Sequence, residues 1–232
     1  MVKLYCIGRK PLSYYKALRN NIYELFVEPN FALGQKAHLI TSEEGNVLWD
    51  CLPLLEATSA SILKKLGGLE AIAISHPHYY GIMSEWASFF NCPVYIHSND
   101  KEWVLDSSDN ITFWEGDRLR LSSHLTLIKT GGHFPGSTIL HYESDNDLGA
   151  LFCGDTLYLS RDRKHISAMY SYPNVIPLAP EKLLTILETV SALNFDSLYG
   201  AFEWQNLHIG AKLVISHSLA RYKELYEYNI SC

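Results

Sequence analysis

Ala71-Ile72-Ala73-Ile74-Ser75-His76-Pro77-His78-Tyr79-Tyr80 is the stretch whose reading decides the fold. Its continuous apolar run is the mark of a strand buried on both faces, which places it inside a sheet covered by helices. The run ends at Ser75-His76, and Pro77 pushes the residue before it towards extended geometry. If the backbone stays extended through Pro77, alternation puts the imidazoles of His76 and His78 on the same side. The expected element is therefore a buried strand that ends in a pair of rings.

The surrounding sequence supplies the rest of a layered protein. Upstream, apolar runs at Phe31 to Ile40 and Asn46 to Leu52 flank Glu43-Glu44-Gly45-Asn46 and predict a hairpin. Ser59 to Leu66, closed by Gly67-Gly68, predicts a short helix with a serine near its start. Downstream, Ile82, Trp86, Phe89 and Phe90 fall at helical spacing, so Gly81 to Asn91 is predicted to lay an aromatic face on the sheet. Pro93 opens a further buried strand, Val94 to Ile96. Runs at Ile111 to Trp114, Leu119 to Leu121, Leu125 to Ile128, Thr138 to Tyr142 and Ala150 to Phe152 predict a meander. Pro180 to about Leu193 predicts a helix, Ser197 to Phe202 a last strand, and Ile209 to Tyr228 a C-terminal helix. Strands and helices in this mixed order indicate a layered α/β protein. No repeat, low-complexity stretch or linker divides it, so 1-232 is expected to be a single domain.

Composition narrows the function classes. The chain has 232 residues, 47% of them hydrophobic and 19% charged, which is a globular composition with ample length for a core. Nineteen Lys and Arg against 25 Asp and Glu give a net charge of −6, so nucleic acid is not an expected partner and a small-molecule substrate fits better. Neither a membrane span nor a signal peptide is read from the sequence, and a cytoplasmic location is expected. Cys6, Cys51, Cys92, Cys153 and Cys232 are odd in number and form no CxxC pair, so they are read as reduced thiols. Cys153 lies in an apolar run with no adjacent base and is read as a small buried residue, not as a nucleophile. The Asn110 and Asn229 sequons carry no weight without a secretory route.

Chemistry gathers where predicted strands end. Leu125 to Ile128 runs into Lys129-Thr130-Gly131-Gly132-His133-Phe134-Pro135-Gly136, a glycine-bracketed loop presenting another imidazole. Ala150 to Cys153 runs into Gly154-Asp155-Thr156. Three histidines and one carboxylate are ligand types that zinc or iron takes. Each element alone is weak, but their order and spacing resemble the metallo-β-lactamase superfamily over most of the chain. The resemblance extends to Trp49-Asp50, where the family usually has an Asp after a strand near the site. It implies an α+β fold, the four-layer αββα sandwich.

By that resemblance the metal ligands are His76, His78, His133 and Asp155, and Asp155 is the catalytic residue that binds the metal or orients water. The sequence departs from the family pattern where the usual motif continues with Asp-His, since Tyr80 and Gly81 stand there. The family's last histidine is also missing from Tyr199-Gly200-Ala201-Phe202-Glu203-Trp204, leaving Glu203 or His208 as substitutes. The implied centre holds one divalent metal per chain, zinc first and iron second. Tyr79, Tyr80, Phe134, Phe202 and Trp204 cluster around the motif, as an aromatic substrate pocket or as filler where a second metal was lost. His97, at the end of Val94 to Ile96, is placed to line that pocket or to sit in the core or rim. His124, His141, His165, His208 and His217 have no partner pattern and are read as ordinary residues. The implied activity is hydrolysis of a small ester, thioester, lactone or amide by metal-activated water. The alternatives are a mononuclear iron dioxygenase-like enzyme and a degenerate member that binds metal or a partner without catalysis.

Overall fold

The computed structural model describes residues 10–19, 21–145 and 148–228. Cys6, Cys232, Asn229 and most of the opening stretch lie outside the described residues. By internal contacts the chain divides into two compact units, one running to Ile96 with Val104–Thr112 added, the other made of His97–Trp103 and everything from Phe113 on.

A seven-stranded sheet runs in chain order, β1 (Leu12–Arg19), β2 (Ile22–Glu28), β3 (Ala37–Ile40), β4 (Val47–Trp49), β5 (Ala71–Ala73), β6 (Val94–His97) and β7 (Ile111–Trp114). The first four strands pair antiparallel, whereas β4, β5 and β6 are parallel, joined through α1 (Ala57–Lys65) and α2 (Met83–Phe90). Parallel strands linked by helices leave their carboxyl ends together, where open α/β sheets carry ligands. Asp50 and His76 stand just past two of those ends. Helix α1 starts earlier than its serine suggested: Glu56 is the cap, its carboxylate accepting the Ser59 N–H at 3.1 Å while the Ser59 hydroxyl accepts the Glu56 N–H at 3.3 Å. In α2 the aromatic stripe is only partly inward. Trp86 is fully buried and donates to the Leu52 carbonyl at 3.2 Å, but Phe89 is exposed, with the Lys64 ammonium 4.3 Å above its ring.

Strands β1 and β2 were not expected from the sequence. β1 is largely exposed, with Tyr14 and Tyr15 outward, so it lacks the one-sided alternation that marks a half-buried strand. The first strand of the predicted hairpin shrinks to Ala37–Ile40. There His38 faces Glu24 across the β2–β3 ladder at 3.9 Å, both side chains buried. Burial above all, and then the charge of Lys36, pushes the His38 imidazole down to about 3, so it is neutral at physiological pH.

The second sheet has the order β16-β11-β10-β9-β8, with β8 (Arg118–Arg120), β9 (Leu125–Lys129), β10 (Thr138–Tyr142), β11 (Ala150–Gly154) and β16 (Ser197–Gly200). β8 to β11 form the predicted antiparallel meander, while β7, expected to belong to it, joins the first sheet, its chain already committed when the Val94 N–H donates to the Asn110 carbonyl at 2.9 Å. β16 lies parallel to β11, with Gly200 opposite Gly154. Two small hairpins intervene, β12 (Tyr158–Leu159) with β13 (Ile166–Ser167) and β14 (Met169–Ser171) with β15 (Ile176–Pro177). Helices α3 (Pro180–Ser191) and α4 (Ala211–Tyr228) close an apolar cluster that includes Ile139, Leu151, Leu187, Phe195 and Ile215. Among the described residues, Cys51, Cys92 and Cys153 are buried and form no disulfide. Among the described residues, no helix is long and apolar enough to cross a membrane.

Candidate metal centre

In the first unit the strand β5 delivers the histidine pair, though not by simple alternation. His76 is extended, with φ −169° and ψ 169°, but Pro77–Tyr79 then coils into a single 3-10 turn. The turn still brings the rings together, His76 Nε2 lying 3.2 Å from His78 Nδ1. Two nitrogens bound tetrahedrally to zinc at ~2.0–2.1 Å lie about 3.3–3.4 Å apart, so the pair has the spacing such an ion needs. His76 is buried and His78 exposed.

What fixes the His76 ring is a chain of donors that starts at Asp50. The Ser75 N–H donates to Asp50 Oδ1 at 2.8 Å, and the Ser75 hydroxyl spends its one proton on Asp50 Oδ2 at 3.0 Å. Ser75 Oγ therefore accepts from His76 Nδ1, 2.9 Å away, and the Nε2 lone pair is left to face His78. Asp50 itself sits at φ +60°, a left-handed conformation that Asp tolerates better than most residues. This outer shell is what a metal-binding imidazole requires. Tyr79 packs its ring against His76, with centroids 4.5 Å apart, and Tyr80 is buried in the position after it.

In the second unit, His133 is carried on a loop that closes upon itself. The Phe134 N–H donates to Ser137 Oγ at 2.8 Å, and Thr130 Oγ1 donates to the Ser137 carbonyl at 3.0 Å. Gly132 suits the loop because its φ is +99°, a conformation that strains an L side chain. His133 is buried, and its Nδ1–H donates to the Tyr170 carbonyl at 3.0 Å, which puts the ring proton on Nδ1. The same loop is held by Asp100, a buried residue of the 3-10 segment Ser98–Trp103, whose Oδ1 accepts the Gly136 N–H at 2.6 Å. Trp103 from that segment packs edge-on against Phe134, and Phe134 against His133. Asp155, partly exposed, follows the Gly154 turn at the end of β11, and the Thr156 N–H closes that turn on the Cys153 carbonyl at 2.9 Å.

The remaining expected residues divide. Phe202 and Trp204 lie together, rings nearly parallel with centroids 6.3 Å apart, on a 3-10 turn that also holds the exposed Glu203. His97 turns inward: Nε2–H donates to the Gly116 carbonyl at 2.9 Å, Nδ1 accepts the Asn99 N–H at 3.1 Å, and the ring abuts Trp114. Burial, opposed by the Gly116 bond, holds its pKa below the ordinary value. His208 is exposed, its ring edge near Tyr199. Sequence reasoning passed over Ser75, Asp100, Tyr158 and Tyr172. Only Ser75, next to the first histidine, carried a local signal.

The profile of the metallo-beta-lactamase superfamily matches residues 31–189. YmaE, an uncharacterized protein of Bacillus subtilis (strain 168), is 45% identical over 188 residues, which make up 81% of this chain and 69% of the relative. YqgX of the same organism, described as a probable metallo-hydrolase, is 27% identical over 143 residues, 53% of this chain and 66% of the relative. Among solved structures, the DIM-1 metallo-beta-lactamase is similar at a TM-score of 0.68 and 13% identity, covering 92% of this chain and 98% of its own. At that identity the likeness shows the fold alone, and the mixed α/β architecture read from the sequence is that fold.

Proposed function

Because this chain belongs to the metallo-β-lactamase superfamily, we propose that it is a metal-dependent hydrolase of a small acyl substrate, an ester, thioester, lactone or amide. His76, His78, His133 and Asp155 are the residues that would hold one divalent ion, zinc first. The observation that carries this reading is the His76–His78 pair, 3.2 Å apart, with the proton of His76 held on Nδ1 by the Asp50–Ser75 relay. The Tyr170 carbonyl holds the His133 proton on Nδ1 in the same way.

When bound, the ion supplies a Lewis acid that lowers the pKa of water towards ~7 and polarises the acyl oxygen. The protein's own groups do the rest. Asp155 accepts a hydrogen bond from the attacking water and aims its oxygen at the acyl carbon. Water adds there, the bond from acyl carbon to leaving group breaks, and the water's proton passes through the Asp155 carboxylate to the leaving atom. His76 and His133 keep the tautomers that their outer hydrogen bonds select.

One ion is the proposed stoichiometry. Two adjacent divalent cations repel strongly at the low effective dielectric of a pocket, and Tyr80 and Gly81 supply no anionic ligand for a second. Without a second cation a phosphodiester loses its two-metal clamp, which favours acyl substrates. The same reading has the two compact units acting as one metallo-β-lactamase-like domain on a small molecule, in the cytoplasm, with no nucleic-acid partner.

The test is elemental analysis of protein purified without added ions and again after zinc supplementation, with a panel of acyl esters and thioesters. One equivalent per chain, lost in His133→Ala, and acyl hydrolysis abolished in His78→Ala and Asp155→Ala with circular dichroism unchanged, is the expected result. Two equivalents would overturn the mononuclear site. A value near zero after supplementation would move the chain to the non-catalytic reading.

A further inference from the structure

The second unit carries a connected run of aromatic rings that begins at His133 and ends at the surface. Tyr172 lies beside His133, with ring centroids 5.5 Å apart. Tyr158 stacks on Tyr172 at 4.8 Å and meets Trp204 edge-on at 5.0 Å, and Trp204 runs parallel to Phe202. At the outer end, Trp204 is 47% exposed. Its backbone is tied down: Arg163 Nη1 donates to the Trp204 carbonyl at 3.3 Å, and Nη2 of the same guanidinium donates to the Asn206 carbonyl.

At the inner end the Tyr172 hydroxyl is buried with no hydrogen-bond partner among the described residues. The backbone of Met169 lies beside that hydroxyl. A buried unpaired donor costs ~1–3 kcal/mol in the free protein, a cost that a ligand acceptor removes.

We propose that these residues form an aryl-recognition subsite: Tyr158, Phe202 and Trp204 receive a planar aromatic ring on the acyl side of the substrate, and the Tyr172 hydroxyl donates to the oxygen beside it. The proposal rests on the acyl-hydrolase reading above and names its substrate class, an arylacyl ester or thioester. An exposed Trp already packed against Tyr158 and Phe202 offers a flat face on which a second ring gains stacking. Trp204 and Phe202 thus set specificity, and Tyr172 positions the acyl group.

The experiment measures binding by calorimetry on the full chain, with phenylacetate, cyclohexylacetate and acetate as probes. Phenylacetate is expected to bind about tenfold tighter than acetate and about threefold tighter than cyclohexylacetate. Trp204→Ala should remove the phenyl preference and Trp204→Phe should retain it, while Tyr172→Phe weakens all three probes by a similar factor. Equal affinity for phenylacetate and cyclohexylacetate, or a phenyl preference that survives Trp204→Ala, would overturn the subsite. A chain that hydrolyses acyl esters without aryl preference keeps the hydrolase reading and loses this one. A chain that hydrolyses none, yet binds phenylacetate through Trp204, does the reverse.

Discussion

Replacing Asp100 with Asn is expected to stabilise the protein by an amount that grows as pH rises from about 3.8 to about 6 and is constant above that. Asp100 is 1% exposed, its Oδ1 accepts the Gly136 N–H at 2.6 Å, and its Oδ2 has no partner among the described residues. Burial pushes the carboxyl up from 3.8 to about 6, overcoming the Gly136 bond, which acts the other way. A carboxyl raised in the folded state favours its neutral form there, so folding becomes less favourable as pH rises from about 3.8 through 6. At about 1.4 kcal/mol per pH unit the shift is worth at most about 3 kcal/mol, and relaxation around the group makes about 1–3 kcal/mol the working range. Asn keeps the acceptor for Gly136 and is close to the protonated acid in shape, its amide placing two N–H donors where the acid places one O–H. The variant should therefore equal the natural protein at pH 4 and exceed it by about 1–3 kcal/mol at pH 8, or ~2–10 °C in Tm. Urea unfolding of both proteins at pH 4, 6 and 8 makes the comparison. An equal effect at pH 4 and pH 8, or a loss at pH 8, would refute the reasoning that a buried carboxylate holds this loop at a cost.

Two further outcomes follow from buried groups. Ser75→Ala breaks the relay from Asp50 to His76 Nδ1, and zinc affinity measured against a competing chelator should fall by about 10–100-fold while the fold persists. His38, held neutral with a pKa of about 3, must take up a proton on acid unfolding, so stability is lost as pH falls from 6.5 towards 3. His38→Leu should flatten that limb by up to one proton, ~1.4 kcal/mol per pH unit, in unfolding curves taken at pH 4 to 7; an unchanged slope would count against a neutral buried imidazole.

The fold was legible where burial leaves a one-dimensional trace. Strand β5 is apolar at every position because both its faces are covered, and the meander β8 to β11 is marked by turns rich in Gly, Asp and Asn. β1 left no such trace because solvent reaches most of its side chains, and the inward face of α2 was overdrawn because Phe89 and Phe90 are equally apolar in sequence while only local packing decides which turns out. β7 was misassigned for a related reason. A run such as Ile-Thr-Phe-Trp states that it is a strand, not which sheet it completes.

The site divides along the same line. The proposed ligands are side chains at strand ends, so His76, His78, His133 and Asp155 could be picked from the order and spacing that resemble the family. The groups that select each tautomer are largely backbone carbonyls, Tyr170 for His133 and Gly116 for His97, and a carbonyl has no signature in the sequence. That is why His133 and His97, alike as histidines after strands, part company in the structure. Gly116 and Asn99 engage both nitrogens of His97, whereas the Tyr170 carbonyl engages Nδ1 of His133. Whether an imidazole is a ligand or a strut depends on the second nitrogen, and that is settled by a partner distant in sequence.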